Sequence, residues 1–210
     1  MIVQSLKYPF EHTIIYDLFD DIQVSSLIQE AKDIAGRYNE KEAATLLKGD
    51  PHNLGVIEQY GTKVFVIDNV MPNGIIRNLC WSLPRLFFLN VIEKTYLTNN
   101  FFSVSNDKLY LQLYKNGDSY PIHRDCSTFS IVYVFYGNPQ SKIDGGKLKF
   151  DDHDYEPYLK HNSCILFPGW INHSVSKIEC DETNFRISLS QFMFQAYNGS
   201  EHTQTKKLNL

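Results

Sequence analysis

The sequence lacks the features that mark a disulfide-rich, a membrane-spanning or a secreted protein. Its four cysteines are widely spaced and form no C-x-x-C pair: Cys80, Cys126, Cys164 and Cys180. Most lie in or beside apolar runs, so we expect buried, reduced thiols. The longest apolar run, 81–92, contains Pro84 and Arg85 and is too short to span a bilayer. The N-terminus has no long apolar segment of the signal-peptide kind. We therefore expect a cytoplasmic protein with no membrane segment.

The sequence also has no excess of positive charge. Its formal net charge of −4 argues against nucleic acid as a partner, because phosphates bind clustered Lys and Arg. Hydrophobic residues make up 43% of the chain and charged residues 21%, which is typical of a globular protein rather than a disordered one. With 210 residues the chain is long enough to bury a core without disulfides. We predict a single domain spanning 1–210.

The first hundred residues mix helical and strand patterns, and we interpret them as a support region. Residues 13–16 and 64–67 are runs of β-branched and aromatic side chains, typical of strands. Apolar residues recur at helical spacing over 22–37, after two aspartates suited to a helix N-terminus. A second helix is predicted over 75–96, with a kink or a break at Pro84. The pattern over 38–55 favours neither type.

The remaining residues form short strand-like runs separated by Gly, Pro, Asn and Asp. These runs are 109–114, 129–136, 146–150, 163–167, 173–178 and 185–194. Such strands at regular spacing predict a sandwich or a barrel, which we place at 101–195. The polar residues 196–210 are expected to form a frayed tail. The predicted fold class is α+β with a mainly β core, on which the N-terminal helices pack.

Three residues of the β region form a candidate metal site. His123 and Asp125 are two apart at the end of a strand-like run, so their side chains point the same way. His173 follows a predicted turn at 168–170 that would present it as a third ligand. Two neutral imidazoles and one carboxylate suit a ferrous ion that keeps coordination positions open.

Other histidines and acidic residues have simpler interpretations. A single His-x-Asp pair is weak by itself, and a lone histidine is more often a surface or hydrogen-bonded residue. The acidic cluster 151–154 follows two glycines and a strand, which favours a solvated turn. The remaining histidines have polar or turn contexts and are not predicted to be ligands: His12, His52, His161 and His202.

A candidate anion site lies on the last predicted strand. Arg186 and Ser188 are two apart and therefore share a face, and an inward-facing guanidinium is costly unless it meets an anion. A guanidinium can bind a carboxylate through two parallel hydrogen bonds, and a neighbouring hydroxyl can add a third. Tyr114 and Tyr136 could place hydroxyl groups on the same carboxylate. The alternatives are an ion pair of Arg186 with 179 or 181, and ordinary aromatic packing of the tyrosines.

These residues belong to an ordered set of motifs. The set is Leu113-Tyr114-x-x-Gly117-x-x-Tyr120-x-x-His123-x-Asp125, Tyr136-Gly137-Asn138, Gly145-Gly146-x-Leu148-x-Phe150, Leu166-Phe167-Pro168, His173-x-Val175 and Arg186-x-Ser188. In this order the motifs resemble the 2-oxoglutarate- and Fe(II)-dependent dioxygenases, in particular their prolyl 4-hydroxylase-like branch. The resemblance covers the predicted β core. It implies a double-stranded β-helix, or jelly roll, with helices packed on one sheet.

The resemblance also implies cofactors and residue roles. His123, Asp125 and His173 would bind Fe(II). The C5 carboxylate of 2-oxoglutarate would meet the remaining residues of the set: Arg186, Ser188, Tyr114 and Tyr136. The retained Asp125 argues against the halogenating members of the family, in which that carboxylate is replaced.

The implied reaction is a hydroxylation that uses O₂ and releases succinate and CO₂, with ascorbate as a further reductant. A peptidyl proline is the first expected substrate, and another protein side chain, a free amino acid or a small metabolite stays open. An arginine that contacts substrate in some prolyl hydroxylases has no counterpart here. Two rivals remain at this point, a non-catalytic jelly-roll binding module and a zinc hydrolase. The segment 115–121 is hypothesised to form a lid.

Overall fold

The computed structural model describes residues 1–37, 56–59, 62–90 and 104–195. Three features of the sequence interpretation lie outside these ranges: the ambiguous segment 38–55, the predicted helical residues after 90, and the predicted tail at 196–210. Within the described ranges, no helix is both long enough and apolar enough to cross a membrane.

The described chain contains three helices and thirteen strands. The helices are α1 (Asp21–Arg37), α2 (Ile67–Val70) and α3 (Ile75–Asn90), with a 3-10 turn at Asp151–His153. The first strands are β1 (Ile2–Leu6), β2 (His12–Tyr16), β3 (Val56–Gln59), β4 (Thr62–Val66), β5 (Val104–Tyr114) and β6 (Tyr120–His123). The others are β7 (Phe129–Tyr136), β8 (Ile143–Gly145), β9 (Leu148–Phe150), β10 (Ser163–Pro168), β11 (His173–Val175), β12 (Ile178–Cys180) and β13 (Arg186–Gln195).

The strands form one large antiparallel sheet and two small ones. The large sheet has the order β1-β2-β10-β7-β13-β5-β4-β3. The small sheets have the orders β6-β11-β9 and β12-β8. The small sheets pack against one face of the large sheet and enclose an interior with it. The helices pack on the opposite face of the large sheet. The predicted fold class, a mainly β core with helices on one sheet, is confirmed.

Alternation along the central strands creates two cores. On β7, Phe129, Ile131, Tyr133 and Phe135 face the helices, whereas the intervening valines face the small sheets. Both sets are buried, which explains why β7 is an almost continuous apolar run. On β13 the same alternation directs Ile187, Leu189 and Met193 to the helices, and the opposite face carries Arg186 and two serines followed by two phenylalanines.

Two side chains fix the ends of the helices. Gln23 N–H donates to the Asp20 carboxylate (2.8 Å) at the start of α1, as the two aspartates predicted. Glu30 of α1 accepts hydrogen bonds from Ile75 N–H (3.1 Å) and Ile76 N–H (2.6 Å) at the start of α3. This carboxylate therefore serves as an N-cap supplied by a neighbouring helix, and it sets how α1 and α3 meet.

Some predicted boundaries were wrong. The helix α3 is a single element through Pro84, so of the two predicted outcomes, a kink or a break, the break is absent. Residues 67–70 are helical, whereas the sequence placed 67 in a strand. The strand β6 was missed because Pro121 interrupts its pattern; it lies at the edge of its sheet, where a missing N–H is tolerated.

Candidate metal and anion site

The three predicted metal ligands lie close together in the folded chain, on the wall of a cavity between the sheets. His123 ends β6, His173 begins β11, and the two residues are paired across the small sheet. The possible ligand atoms of His123, Asp125 and His173 all lie within 4.8 Å of one another. Each imidazole Nε2 is 3.6 Å from a different oxygen of the Asp125 carboxylate. This is the only such group of ligand-type residues in the described parts of the chain.

Backbone contacts set the tautomer of both imidazoles. His123 Nδ1–H donates to Pro121 O, and His173 Nδ1–H donates to Ile171 O, each at 2.9 Å. Each Nε2 therefore keeps a free lone pair directed toward Asp125, as a metal ligand requires. Burial lowers the pKa of His173, with a further lowering from the neighbouring His123, while Asp125 opposes this. The balance favours the neutral, ligating form of His173.

The Asp125 carboxylate is held by a second layer of polar groups. Its side chain is only 4% exposed, and its Oδ2 accepts a short hydrogen bond from Ser130 Oγ. Ser127 Oγ lies 2.8 Å from Ser130 Oγ, and Asp125 N–H donates to Gly169 O at 2.9 Å. A Cβ on Gly169 would come within 2.5 Å of the Ser127 carbonyl oxygen, so this close approach requires glycine.

Arg186 is buried between two tyrosines. It pairs with Tyr114 on β5 and with Tyr136 on β7, so the three residues form one row across the large sheet. Since paired residues share a face, all three side chains project to the same side. The guanidinium carbon lies 5.4 Å from the centre of the Tyr114 ring. Gly146 has a φ of +61°, and a Cβ at this position would lie 3.1 Å from Arg186 Cδ. The absence of a side chain at Gly146 therefore leaves room for the Arg186 side chain.

The Arg186 guanidinium has no partner within the described residues. Its side chain is among the largest that are fully buried, and all three of its nitrogens lack a hydrogen-bond acceptor. The predicted alternative, an ion pair with 179 or 181, is therefore not formed. Burial lowers the pKa of Arg186, and burial raises the pKa of Tyr114 and of Tyr136. The site is thus a neutral pair of phenols around an uncompensated cation, which an anion would neutralise.

The interior between the sheets is hollow. A cavity of about 590 Å³ is bounded by the His123, Asp125 and His173 side chains and also by Tyr114 and Ser188. Arg186 and Tyr136 line a second cavity of about 360 Å³. Leu148 lines both, so the two cavities meet at this side chain. Ser188 is buried and faces the first cavity, one row from Arg186 along β13.

The remaining polar groups behave as structural residues. Asp152 accepts hydrogen bonds from Asn172 Nδ2, and Asp154 pairs with Lys149 at 2.7 Å, so the acidic cluster is a turn. His12 is buried rather than surface-exposed, and its Nδ1–H donates to Phe10 O. His161 Nδ1 accepts the backbone N–H of Tyr136. The sequence also predicts that His52 and His202 are not metal ligands, and these two residues lie outside the described residues.

Two residues that support the site were missed by the sequence analysis, and the structure does not test the lid hypothesis. Ser130 was not identified, although a serine inside the apolar run of β7 is the available signal. The role of Gly169 depends on a contact between distant loops, so no local pattern could reveal it. The hypothesised lid at 115–121 stays a prediction; its turn is bonded to β12 through Gly117 N–H to Ile178 O and Ile178 N–H to Asp118 O.

Comparison with known proteins supports the fold and goes no further. No family model matches the sequence, and neither does any curated protein. A prolyl-4-hydroxylase from Pseudomonas putida is similar in structure, with a TM-score of 0.58 and 17% identity over 88% of this chain and 92% of that one. A Trichoplax adhaerens prolyl hydroxylase, solved with a peptide fragment of hypoxia inducible factor, has a TM-score of 0.59 and 14% identity over 88% and 83%. The viral collagen prolyl hydroxylase of Paramecium bursaria Chlorella virus-1, in a 2OG complex, has a TM-score of 0.52 and 14% identity over 87% and 95%. The chain therefore has the double-stranded β-helix fold in the form found in prolyl hydroxylases.

Proposed function

We propose that the protein is an Fe(II)- and 2-oxoglutarate-dependent dioxygenase. It would hydroxylate an unactivated C–H bond of a prolyl or other amino-acid residue in a peptide or protein, with release of succinate and CO₂. The observation that carries this proposal is the fully buried Arg186, whose three nitrogens have no partner in the described chain, on the wall of the interior that also holds the His–Asp–His group. A buried cation without an anion is costly, so the site fits a carboxylate ligand.

The triad fits the metal. His123, Asp125 and His173 offer two imidazole nitrogens and one carboxylate oxygen, the donor set of non-haem ferrous sites with open positions. The two backbone carbonyls fix both imidazoles, and Ser130 fixes the carboxylate, so the ligands are oriented before a metal binds. When bound, the iron and 2-oxoglutarate supply the oxidising chemistry, in which O₂ is consumed.

The anion site fits the far carboxylate of 2-oxoglutarate. Arg186 offers two parallel N–H donors, and Ser188 offers a hydroxyl from the next position on the same face. Tyr114 and Tyr136 stay protonated because burial raises their pKa values. The Tyr136 phenol can donate a hydrogen bond to the carboxylate, whereas the Tyr114 hydroxyl donates to Gln112 Oε1 at 3.1 Å and would have to exchange that acceptor for the carboxylate. Apolar side chains around the site, Val132, Val134, Leu148 and Val175, would exclude water from the reacting groups.

Two rival functions account for less of this arrangement. A binding module with the same fold has no need for a ligand-ready triad beside an unpaired guanidinium. A zinc hydrolase would use the triad but leave Arg186 unexplained. A free amino acid or a small metabolite is the alternative substrate within the proposed class. The peptide complex of the Trichoplax enzyme supports a peptide or protein substrate.

The decisive experiment measures succinate released from 2-oxoglutarate in the presence of Fe(II), O₂ and a panel of peptides and metabolites. We expect release that depends on one class of substrate and is absent in His123→Ala. Anaerobic titration with Fe(II) and 2-oxoglutarate should produce a weak visible charge-transfer band. A protein that binds zinc, shows no such band and releases no succinate would be a hydrolase or a binding module instead.

A further inference from the structure

The larger cavity continues past the triad onto an open face of the large sheet. We define the outer groove as the cavity-facing side chains Lys108 and Tyr110 of β5, and Ser190, Phe192 and Phe194 of β13. Tyr110 pairs with Ser190, and Lys108 pairs with Phe192, so these residues form successive rows of one face. The rings of Tyr110 and Phe192 lie 5.1 Å apart. The groove therefore has an aromatic floor beside the candidate metal site.

The cavity that contains the outer groove is larger than a free amino acid requires. From β7 through β13 and β5 to β4 there are three strand spacings, or about 14 Å. Along β13 the cavity wall runs from Ser188 to Phe194, which spans about 20 Å at the rise of a strand. An extended peptide of several residues matches this length, whereas a small metabolite would leave most of the floor bare.

Apart from the candidate metal ligand Asp125, the charged side chains that the structure describes on the cavity wall are positive. Lys108 and Arg124 are exposed on this wall, and within the described residues neither forms an ion pair. Among the residues that the structure describes, Asp125 is the only carboxylate on the wall, and it faces the two histidines. This cationic lining stands out in a chain whose net charge is −4.

Both cations lie close to the triad, one by its position in the chain and the other by strand pairing. Arg124 stands between His123 and Asp125 in the chain. Lys108 is in the row of Phe192 and Ser130, and the Ser130 hydroxyl bonds to the Asp125 carboxylate. Lys108 is thus two strand spacings, about 10 Å, from the residue that supports the metal ligand. A substrate bound at the triad would therefore meet two positive charges on the same cavity wall.

We propose that the outer groove binds an extended acidic peptide, with carboxylate side chains close to the residue that reacts. Lys108 and Arg124 pair with these carboxylates, and Tyr110 and Phe192 support the apolar part of the peptide. Complementary charge would select the peptide and speed its association. The proposal rests on the proposed function, because the groove is a substrate site only if the triad carries out chemistry.

Binding to the metal-free, full-length chain tests the proposal independently of turnover. The probes are three short fluorescein-labelled peptides with a central proline flanked on both sides by aspartates, by serines or by lysines, followed by fluorescence polarisation. We expect the aspartate peptide to bind about tenfold or more tightly than the lysine peptide at low salt, with the difference shrinking as salt rises. Lys108→Glu should remove that preference, and Lys108→Gln should halve it or more. Lys177→Glu, an exposed lysine outside the groove, is the matched control and should leave the preference intact.

Several outcomes would overturn the proposal. These are equal affinities for the three peptides, an equal loss in Lys108→Glu and Lys177→Glu, or dimerisation of the wild type that Lys108→Glu abolishes. The last outcome would assign the groove to a second copy of the chain. Succinate release is measured in parallel with the same peptides. Turnover without charge preference would refute only the groove assignment, whereas selective binding without any succinate would refute only the oxygenase.

Discussion

Arg186 and Tyr114 stand opposite each other on neighbouring antiparallel strands, with the guanidinium carbon 5.4 Å from the centre of the phenol ring. A cation above an aromatic face gains about 0.5–2 kcal/mol. Within the described parts of the chain that contact leaves the three guanidinium nitrogens without acceptors, since a ring face replaces no hydrogen bond. The relationship therefore orients the cation and keeps its donors ready for a carboxylate.

Replacing Arg186 with methionine should separate ligand binding from stability. We expect the dissociation constant of 2-oxoglutarate to rise about 100-fold or more, because each hydrogen bond to a charged group contributes about 1.5–3 kcal/mol. The unfolding midpoint of the ligand-free protein should stay the same or rise, since a buried unpaired charge is replaced by an apolar side chain of similar length. Calorimetric titration of the Mn(II)-loaded protein and urea unfolding measure the two effects.

The matched control for this experiment is Ser188→Ala, which keeps the guanidinium. Its effect on 2-oxoglutarate binding should be about tenfold or less, because one neutral hydrogen bond is lost. Mn(II) affinity should be retained in both variants. Unchanged 2-oxoglutarate binding by Arg186→Met would mean that the carboxylate is held elsewhere.

Removing the hydroxyl of Ser130 should weaken the metal site without removing a ligand. We expect Ser130→Ala to lower Fe(II) or Mn(II) affinity about tenfold to 100-fold, because groups that orient a ligand usually have effects of this size. Anaerobic metal titration measures it. Ser163→Ala is the control, since Ser163 is equally buried but its hydroxyl bonds to the Lys160 carbonyl, which is no part of the metal site. Equal metal affinities in the two variants would contradict a supporting role for Ser130.

The Glu30 carboxylate should stabilise the junction of α1 and α3. We expect Glu30→Ala to lower the free energy of unfolding by about 1–2 kcal/mol, because the Ile75 and Ile76 N–H groups lose their acceptor and a negative charge leaves the helix N-terminus. Gln29→Ala removes only an exposed contact with Asp33 and should cost about 0.5 kcal/mol or less. Urea unfolding distinguishes them, and similar losses in both would refute the capping role.

Burial of His12 should make the fold less stable in mild acid. Burial lowers the pKa of His12 in the folded state, so the unfolded chain binds the proton more readily. The folded protein then loses stability as the pH falls below the unfolded value of about 6.5, and it loses nothing above that value. In the structure, neutral His12 accepts a hydrogen bond from the Tyr155 hydroxyl at 2.9 Å.

Urea midpoints of the metal-free protein at pH 7.5, 6.5 and 5.5 measure this dependence before the carboxylates titrate. We expect the midpoint to fall between pH 6.5 and 5.5, and to fall less in His12→Asn. His153→Asn, at an exposed histidine on the same side of the fold, provides the comparison. A slope that is identical in wild type and His12→Asn would exclude His12 as its source.

Local patterns in the sequence determined most of the secondary structure and the residue types of the site. The spacing of apolar residues over α1 and the runs of β7, β10 and β13 depend only on neighbouring positions, so the periodicity identifies them. Likewise His123 and Asp125, or Arg186 and Ser188, are two apart, and alternation alone places each pair on one side of a strand. Each of these inferences needed no knowledge of the rest of the chain.

The tertiary structure decided which of these pairs meet, and which positions support them. His173 reaches the other two ligands only because β11 pairs with β6, and Tyr114, Arg186 and Tyr136 form a row only because of the register of three strands. Register and sheet order depend on contacts between residues far apart in the chain, and such contacts leave no periodic trace in the sequence. For the same reason the hydroxyl of Ser130, the carboxylate of Glu30 and the unpaired state of the guanidinium became visible only in the folded molecule.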